Sequence, residues 1–302
     1  MKDTVPPEPN IGKAVRLYAP PPALAGKLWG WRYLILRRVT QFGVLLLFFG
    51  TAQLGWRLAG KPLLSGNLSA SEFMGLIPMA DPFAVLQQFA TGHLLQRQVL
   101  IGAGLVLAFY LLAGGRVFCS WVCPVNPIAD LAGWLRNKLD IANVLNLSRS
   151  NRYVVLALAL ALSAVLGVAA FEFVSPISML HREIIFGAGL GFIAVLGIFM
   201  LDLLAVKHAW CGHLCPLGAF WALVGRAALV RVRFDESTCT KCGECARVCP
   251  EPQVLNFREA AEKAWIVSGE CTNCARCIPI CPEGSVAFGL RWFAPRHERG
   301  SH

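Results

Sequence analysis

Charge is scarce in this 302-residue sequence, and acid is the scarcer sign: 18 Asp and Glu stand against 28 Lys and Arg, together 15% of the chain. A soluble domain carries about 25% charged residues, so the shortfall points away from an ordinary soluble fold and toward a membrane protein. Hydrophobic residues make up 56%. The sequence also lacks a C-x-x-C-H motif and a glycine-rich phosphate loop, which turns cofactor expectations away from covalent haem and nucleotides. No basic run is interleaved with stacking aromatics, so the net charge of +10 is not read as nucleic-acid binding. The polar, proline-rich opening has no apolar core, and a cleavable signal peptide is not expected.

Four apolar segments take up the hydrophobic excess, at 39–58, 99–118, 153–174 and 184–206. A helix needs about 20 apolar residues to cross a ~30 Å hydrocarbon layer, and each segment supplies that number with few charges. Gly102, Gly104, Gly187, Gly189 and Gly191 suit close helix packing and carry no further expectation. Basic residues gather before the first segment (Lys13, Arg16, Lys27, Arg32, Arg37, Arg38), between the second and third (Arg136, Lys138, Arg149, Arg152), and after the fourth (Lys207, Arg226, Arg231, Arg233). The first intervening loop has Arg57, Lys61 and Arg97 spread over its length, and the third has Arg182. Positive charge is retained on the cytoplasmic side, so the expectation is a multi-pass bacterial inner-membrane protein with both termini in the cytoplasm.

All twelve cysteines fall on the side assigned to the cytoplasm or at its membrane border. Disulfides persist in oxidising compartments, so these thiols are expected to be ligands or redox groups. "CTKCGECARVCPE" contributes Cys239, Cys242, Cys245 and Cys249, and "CTNCARCIPICPE" contributes Cys271, Cys274, Cys277 and Cys281. Each is C-x2-C-x2-C-x3-C-P, the two-cluster ferredoxin spacing, in which the fourth cysteine serves the other cluster. One [4Fe–4S] centre is therefore expected on Cys239, Cys242, Cys245 and Cys281, and a second on Cys271, Cys274, Cys277 and Cys249. Structural zinc prefers two C-x2-C pairs to two runs of four. The β-like runs "LVRVRF", "VLNF", "AWIVS" and "SVAFG" predict a small strand-and-helix module whose folding leans on its metal.

The remaining thiols form two C-x3-C-P pairs, Cys119 with Cys123 and Cys211 with Cys215. "DPFAVLQ" precedes the second apolar segment and "SPISMLH" the fourth, so prolines, leucines and cysteine pairs recur in register. The chain reads as two parallel repeats related by an axis along the membrane normal. Such an axis lets the four thiols converge at the cytoplasmic face, where i, i+4 spacing puts each pair on one side of a helix. They are candidates for a redox or metal relay, with a packing role as the bland alternative.

The double "FCSWVCPVNPIADL" and "WCGHLCPLGAF", the stretch "MADPFAVLQQFATGHL" and "CTKCGECARVCPEPQVL" resemble the NapH family of membrane ferredoxin-type subunits, over nearly the whole chain. The resemblance implies four transmembrane helices with a C-terminal two-cluster ferredoxin domain. It also implies a quinol dehydrogenase component that draws on the membrane quinone pool. Its electrons would pass, with a periplasmic iron–sulfur subunit and a multihaem cytochrome, toward periplasmic nitrate reductase. The expected division is an arm at 1–33, a membrane core at 34–228, a ferredoxin domain at 229–290 and a tail at 291–302. Similarity of the core to copper-handling factors for cytochrome oxidase supplies an alternative: a metal-handling or assembly protein binding or reducing copper at the C-x3-C-P pairs. A quinol site needs proton acceptors beside an apolar pocket. His181, His93, Glu172 and Asp81 are the candidates, with Gln87 and Glu183 nearby; Asp202 is expected to pair with Lys207.

Overall fold

The structure is a computed structural model describing residues 24–187 and 191–291; the first 23 residues of the expected arm, the tail beyond 291, and Gly189 lie outside the described residues. Helix α1 covers Leu24–Ala52, beginning well before the expected first segment at 39–58 and stopping short of its end. Four basic residues that suggested a flank, Lys27, Arg32, Arg37 and Arg38, lie inside this helix. Arg38 pairs with Asp130, and Arg37 is buried. After α1 the chain reverses at Gly55 into a hairpin, β1 (Arg57–Leu58) and β2 (Lys61–Pro62). A three-stranded antiparallel meander follows, β3 (Leu64–Gly66), β4 (Ala70–Phe73) and β5 (Ile77–Ala80). Strands this short carry too little alternation to be read from sequence.

Helix α2 (Pro82–Ala90) and α3 (Arg97–Ala113) come next, then α4 (Val117–Trp121) and α5 (Asn126–Lys138). The second half runs α6 (Asn151–Leu166), α7 (Ala170–Val174), α8 (Pro176–Phe186), α9 (Gly191–Met200), two π-turns (Leu201–Ala205 and Trp210–Leu214) and α10 (Pro216–Gly225). Among the described residues only α1 is long and apolar enough to cross a bilayer unaided; the later segments are shorter than expected. They stop early because Gly114 (φ +118°) and Gly167 (φ +69°) cap α3 and α6. The expected fourth segment is broken at Gly187.

The two halves share one local device. Asp81 (φ −69°, ψ 118°) and Ser175 (φ −66°, ψ 118°) each lead into a helix that starts on proline. Packing is exchanged between the copies: α2 lies on α6 and α8 on α1, while α10 meets α3 and α5 meets α9. The central core gathers Phe83, Tyr110, Val125, Leu156, Phe171, Ile198 and Trp221.

In the C-terminal unit β6 (Val230–Phe234) pairs antiparallel with a later strand, Val230 opposite Leu290. Between them come α11 (Glu244–Val248), α12 (Phe257–Lys263) and α13 (Cys277–Ile280), before β7 (Val286–Leu290) closes the sheet. "VLNF" is not a strand but the end of a 3-10 turn (Pro252–Val254) leading into α12, and "AWIVS" makes a single bridge from Trp265 to Arg233. The unit's core is Val232, Phe234, Val254, Ala260, Ile266 and Val286. That is a marginal core for about sixty residues.

Candidate iron–sulfur and quinol sites

The two ferredoxin loops share a backbone device. Lys241 (φ +55°) and Gly243 (φ +77°) flank Cys242, and Asn273 (φ +48°) and Ala275 (φ +61°) flank Cys274. Left-handed residues at these positions curl the chain so that backbone N–H groups can face a bound anionic group. Cys245 interacts electrostatically with Cys239, Cys242 and Cys281. Cys277 does so with Cys274, Cys271, Cys249 and Cys245. Thiols of the two motifs are therefore neighbours across the unit. Burial pushes the Cys271 thiol up to about 11, and those of Cys249 and Cys277 higher still. Loading metal on these sites must therefore release protons. Among the described residues no three His, Cys, Asp or Glu side chains converge as one metal ion requires. A cluster spreads its ligands over several irons, so the donor set suits a cluster better than a single ion.

Cys119, Cys123, Cys211 and Cys215 line one cavity of about 50 Å³. The helical reading of each pair is only half right. Cys119 sits in α4 and Cys211 in a π-turn, but the chain leaves the helix before Cys123 and Cys215. Cys215 caps α10, its sulfur accepting the Gly218 N–H at 3.4 Å. Cys274 lines the same cavity, so the second ferredoxin loop lies against the four core thiols. Three contacts hold it there. Ser120 Oγ donates to the Thr272 carbonyl at 2.6 Å, and Trp121 Nε1 donates to the Asn273 carbonyl at 3.0 Å. Asp130 joins Arg38 to Arg276, the latter at 2.5 Å. Gly225 permits a close approach, since a Cβ there would meet the Gly269 carbonyl oxygen at 2.5 Å.

A buried ionic network seals this junction, and sequence reading passed over its members. Arg116, 2% exposed, places Nη1 3.0 Å from Glu251 Oε1 and 2.9 Å from the Glu270 carbonyl, and donates from Nη2 to the Cys211 carbonyl at 3.3 Å. Arg149 and Arg152 also pair with Glu251, and Arg152 with Glu270. Tyr153 donates its hydroxyl to Glu270 at 2.9 Å. Burial opposes ionisation of Glu270, but Arg152 overcomes it and holds the carboxyl below its usual range. The available signal was positional: Arg116 stands three residues before the first pair, and Glu251 follows Cys249-Pro250 directly.

A second, larger cavity of about 500 Å³ lies on the far side of the core thiols. Its walls are apolar, with Phe48, Leu105, Phe109 and Trp221 prominent, and Tyr110 also lines it. Asp81 and Glu172, one from each repeat, both line it. Asp81 accepts the Phe83 N–H at 3.2 Å; Glu172 accepts from Ser69 at 2.6 Å and Ser178 at 3.0 Å. Phe118, Ile177 and Leu217 belong to both cavities and form the partition between them. The other candidates lie elsewhere. His93 is exposed and bonds Thr91. His181 is buried edge-on against Phe48, both ring nitrogens unpartnered. Gln87 accepts the Phe171 N–H, and Glu183 accepts the Gly191 N–H. Asp202 takes the Trp210 N–H rather than Lys207, because the π-turn brings that amide to it.

Paired four-cysteine loops docked on a helical core define an iron–sulfur electron-transport protein of the ferredoxin type. A 4Fe-4S binding domain model matches residues 98–142 and 187–235, and a 4Fe-4S dicluster domain model matches 231–282. The chain is 44% identical to the methylamine utilization ferredoxin-type protein MauN of Methylorubrum extorquens, over 77% of its own length and 80% of the relative's. It is 42% identical to the ferredoxin-type protein NapH of Escherichia coli over 77% and 80% of the two chains, and 41% identical to NapH of Haemophilus influenzae over 78% and 83%. The chain belongs to the NapH/MauN family of ferredoxin-type proteins. No solved structure matches it.

Proposed function

We propose that this chain is a membrane-embedded iron–sulfur subunit that oxidises quinol. In this reading residues 34–228 cross a bacterial inner membrane four times as two parallel repeats, with both termini inside, and 229–290 form the ferredoxin domain. Large apolar side chains support the membrane placement, being exposed on α1 (Val39, Phe42), α3 (Phe109, Leu112), α6 (Val154, Val165) and α9 (Phe192, Ile193). A soluble monomer rarely exposes so much contiguous apolar surface. Helices broken at Gly114, Gly167 and Gly187 are tolerated in lipid where the breaks lie against protein.

The observation that carries the quinol reading is the shared wall of the two cavities. An apolar pocket holding two carboxylates is separated by single side chains from four thiols, and those thiols share their cavity with Cys274 of the second ferredoxin loop. Leu105 and Phe109 line the pocket and are also exposed, so it opens sideways, where lipid would lie. A quinol entering there finds walls for its ring and tail, with Asp81 and Glu172 to take its protons. Cys239, Cys242, Cys245 and Cys281 would hold one [4Fe–4S] cluster; Cys271, Cys274, Cys277 and Cys249 would hold the second. Cys119, Cys123, Cys211 and Cys215 would hold a third metal or cluster centre. Bound clusters supply one-electron acceptors of tunable potential. Asp81 and Glu172, rather than His93 or His181, are the groups the pocket offers.

From the family resemblance, the electrons go on through a periplasmic iron–sulfur subunit and a multihaem cytochrome toward nitrate reductase. The MauN relatives, named for methylamine utilization and equally similar, support methylamine-linked electron transport as a second terminal system. The copper-handling alternative calls on the same four core thiols, and metal analysis of the purified protein separates the two readings. The test is anaerobic addition of a short-chain quinol to the purified full-length protein. Bleaching of cluster absorbance and a reduced-cluster EPR signal are expected; clusters that stay oxidised overturn the reading.

A further inference from the structure

Quinol oxidation yields protons and electrons, and the fold offers them exits at opposite ends of one helix. Near the start of α3, Gly102 lies against β5, where a Cβ would fall 3.0 Å from the Pro78 carbonyl. Ala103 packs beside Ala80, the residue before Asp81. At the far end of α3 the Ala113 carbonyl accepts a hydrogen bond from Asn273 Nδ2 of the second ferredoxin loop, at 3.4 Å. The ten helical steps from Ala103 to Ala113 span about 15 Å. Leu105, Val106, Phe109 and Tyr110 descend between those points, and all line the pocket. The carboxylates therefore sit at the end remote from the iron–sulfur unit. Both are half-buried, within reach of the surface around the meander. The side chains shared by the two cavities, Phe118, Ile177 and Leu217, are apolar, and the Tyr110 hydroxyl is the neighbouring proton-bearing group on the pocket side.

Resting on the quinol reading above, we propose that this chain separates charge as it works. The two O–H bonds of the quinol break toward Asp81 and Glu172, and those protons leave past the β3–β5 meander. The two electrons leave the ring, now a quinone, across Phe118, Ile177 and Leu217 toward the iron–sulfur centres of the same chain. With the ferredoxin end in the cytoplasm, turnover carries negative charge inward and releases protons outward. The charge is separated within this chain; a membrane potential survives for electrons taken up on the inner side, whereas their return to a periplasmic acceptor cancels it.

Two measurements on the full-length protein test this. Photolysis with an azidoquinone locates the ring without turnover. Adducts on 68–81 or 171–178 are expected; adducts confined to Phe118–Val122 overturn charge separation, and no adduct on any pocket residue overturns the quinol reading itself. In the second, vesicles carry the protein, a pH dye is trapped inside, decyl-ubiquinol is the donor and membrane-impermeant ferricyanide outside is the acceptor. Only chains with the iron–sulfur unit outward then turn over. Acidification of the lumen by about two protons per quinol is expected, falling roughly tenfold or more in Asp81→Asn/Glu172→Gln at unchanged cluster content. Acidification of the outer medium alone, with ferricyanide reduced at the full rate, overturns the proposal. No ferricyanide reduction above protein-free vesicles counts against quinol oxidation instead.

Discussion

Asp81 combines two tasks that pull its chemistry in different directions. As the cap of α2 it accepts the Phe83 N–H, which favours the carboxylate; enclosure by the pocket, aided by nearby Glu172, outweighs this and pushes it up to about 7. A carboxyl that holds its proton cannot accept another, so quinol oxidation is expected to rise with pH through about 7. Asp81→Asn should remove that limb and slow turnover by about 10²-fold, as read from a pH–rate profile. The stability sign is opposite. A carboxyl raised on folding costs stability progressively as pH climbs from its unfolded value toward its folded one. Asn caps a helix about as well as Asp, so the variant should fold at least as firmly at neutral pH. From sequence alone Asp81 and Glu172 were two loop acids among several candidates. Residue type favoured His93 and His181 equally, because type says nothing about which way a side chain faces.

At the level of elements, the decisive joint is between the second ferredoxin loop and α4. Glu251, 4% exposed, is the anion on which Arg116, Arg149 and Arg152 close. Glu251→Ala leaves buried guanidinium groups without their partner, at a cost of about 3–5 kcal/mol. Thermal unfolding followed by cluster absorbance should show an earlier loss of the C-terminal unit. Glu270, held below its usual range by Arg152, adds stability that is complete above its unfolded pKa and disappears as pH falls through the lowered value. The ferredoxin sheet was readable at both strands, since "LVRVRF" and "SVAFG" are β-like runs and pair as β6 and β7. The helix limits were not. Hydropathy counts ran through Gly114 and Gly167, where the backbone turns left-handed, and stopped short of Arg37 and Arg38, whose charges are taken up by tertiary contacts.

For the molecule as a whole, metal content is the discriminating number. Two cubes require ~8 irons per chain, and a third centre of the same kind on the core cysteines requires ~12. The expected outcome is the higher value, falling to ~8 in Cys119→Ser/Cys215→Ser with the ferredoxin EPR signals retained. Wild-type protein at ~8 would remove the third cube. The recurrence of proline, leucine and cysteine landmarks was legible in the sequence; that the two halves pack on each other was not, since no local pattern encodes which half a short helix leans on.

That embrace governs how the chain can be made. Helix α2 lies on α6, which is translated later, so the first copy emerges from the ribosome without a surface its short helix needs, whereas α8 finds α1 already made. The first copy has to wait, loosely assembled, until the second is synthesised. Native packing then arrives for both together, and the iron–sulfur unit, translated last, closes over a core that has only just become whole.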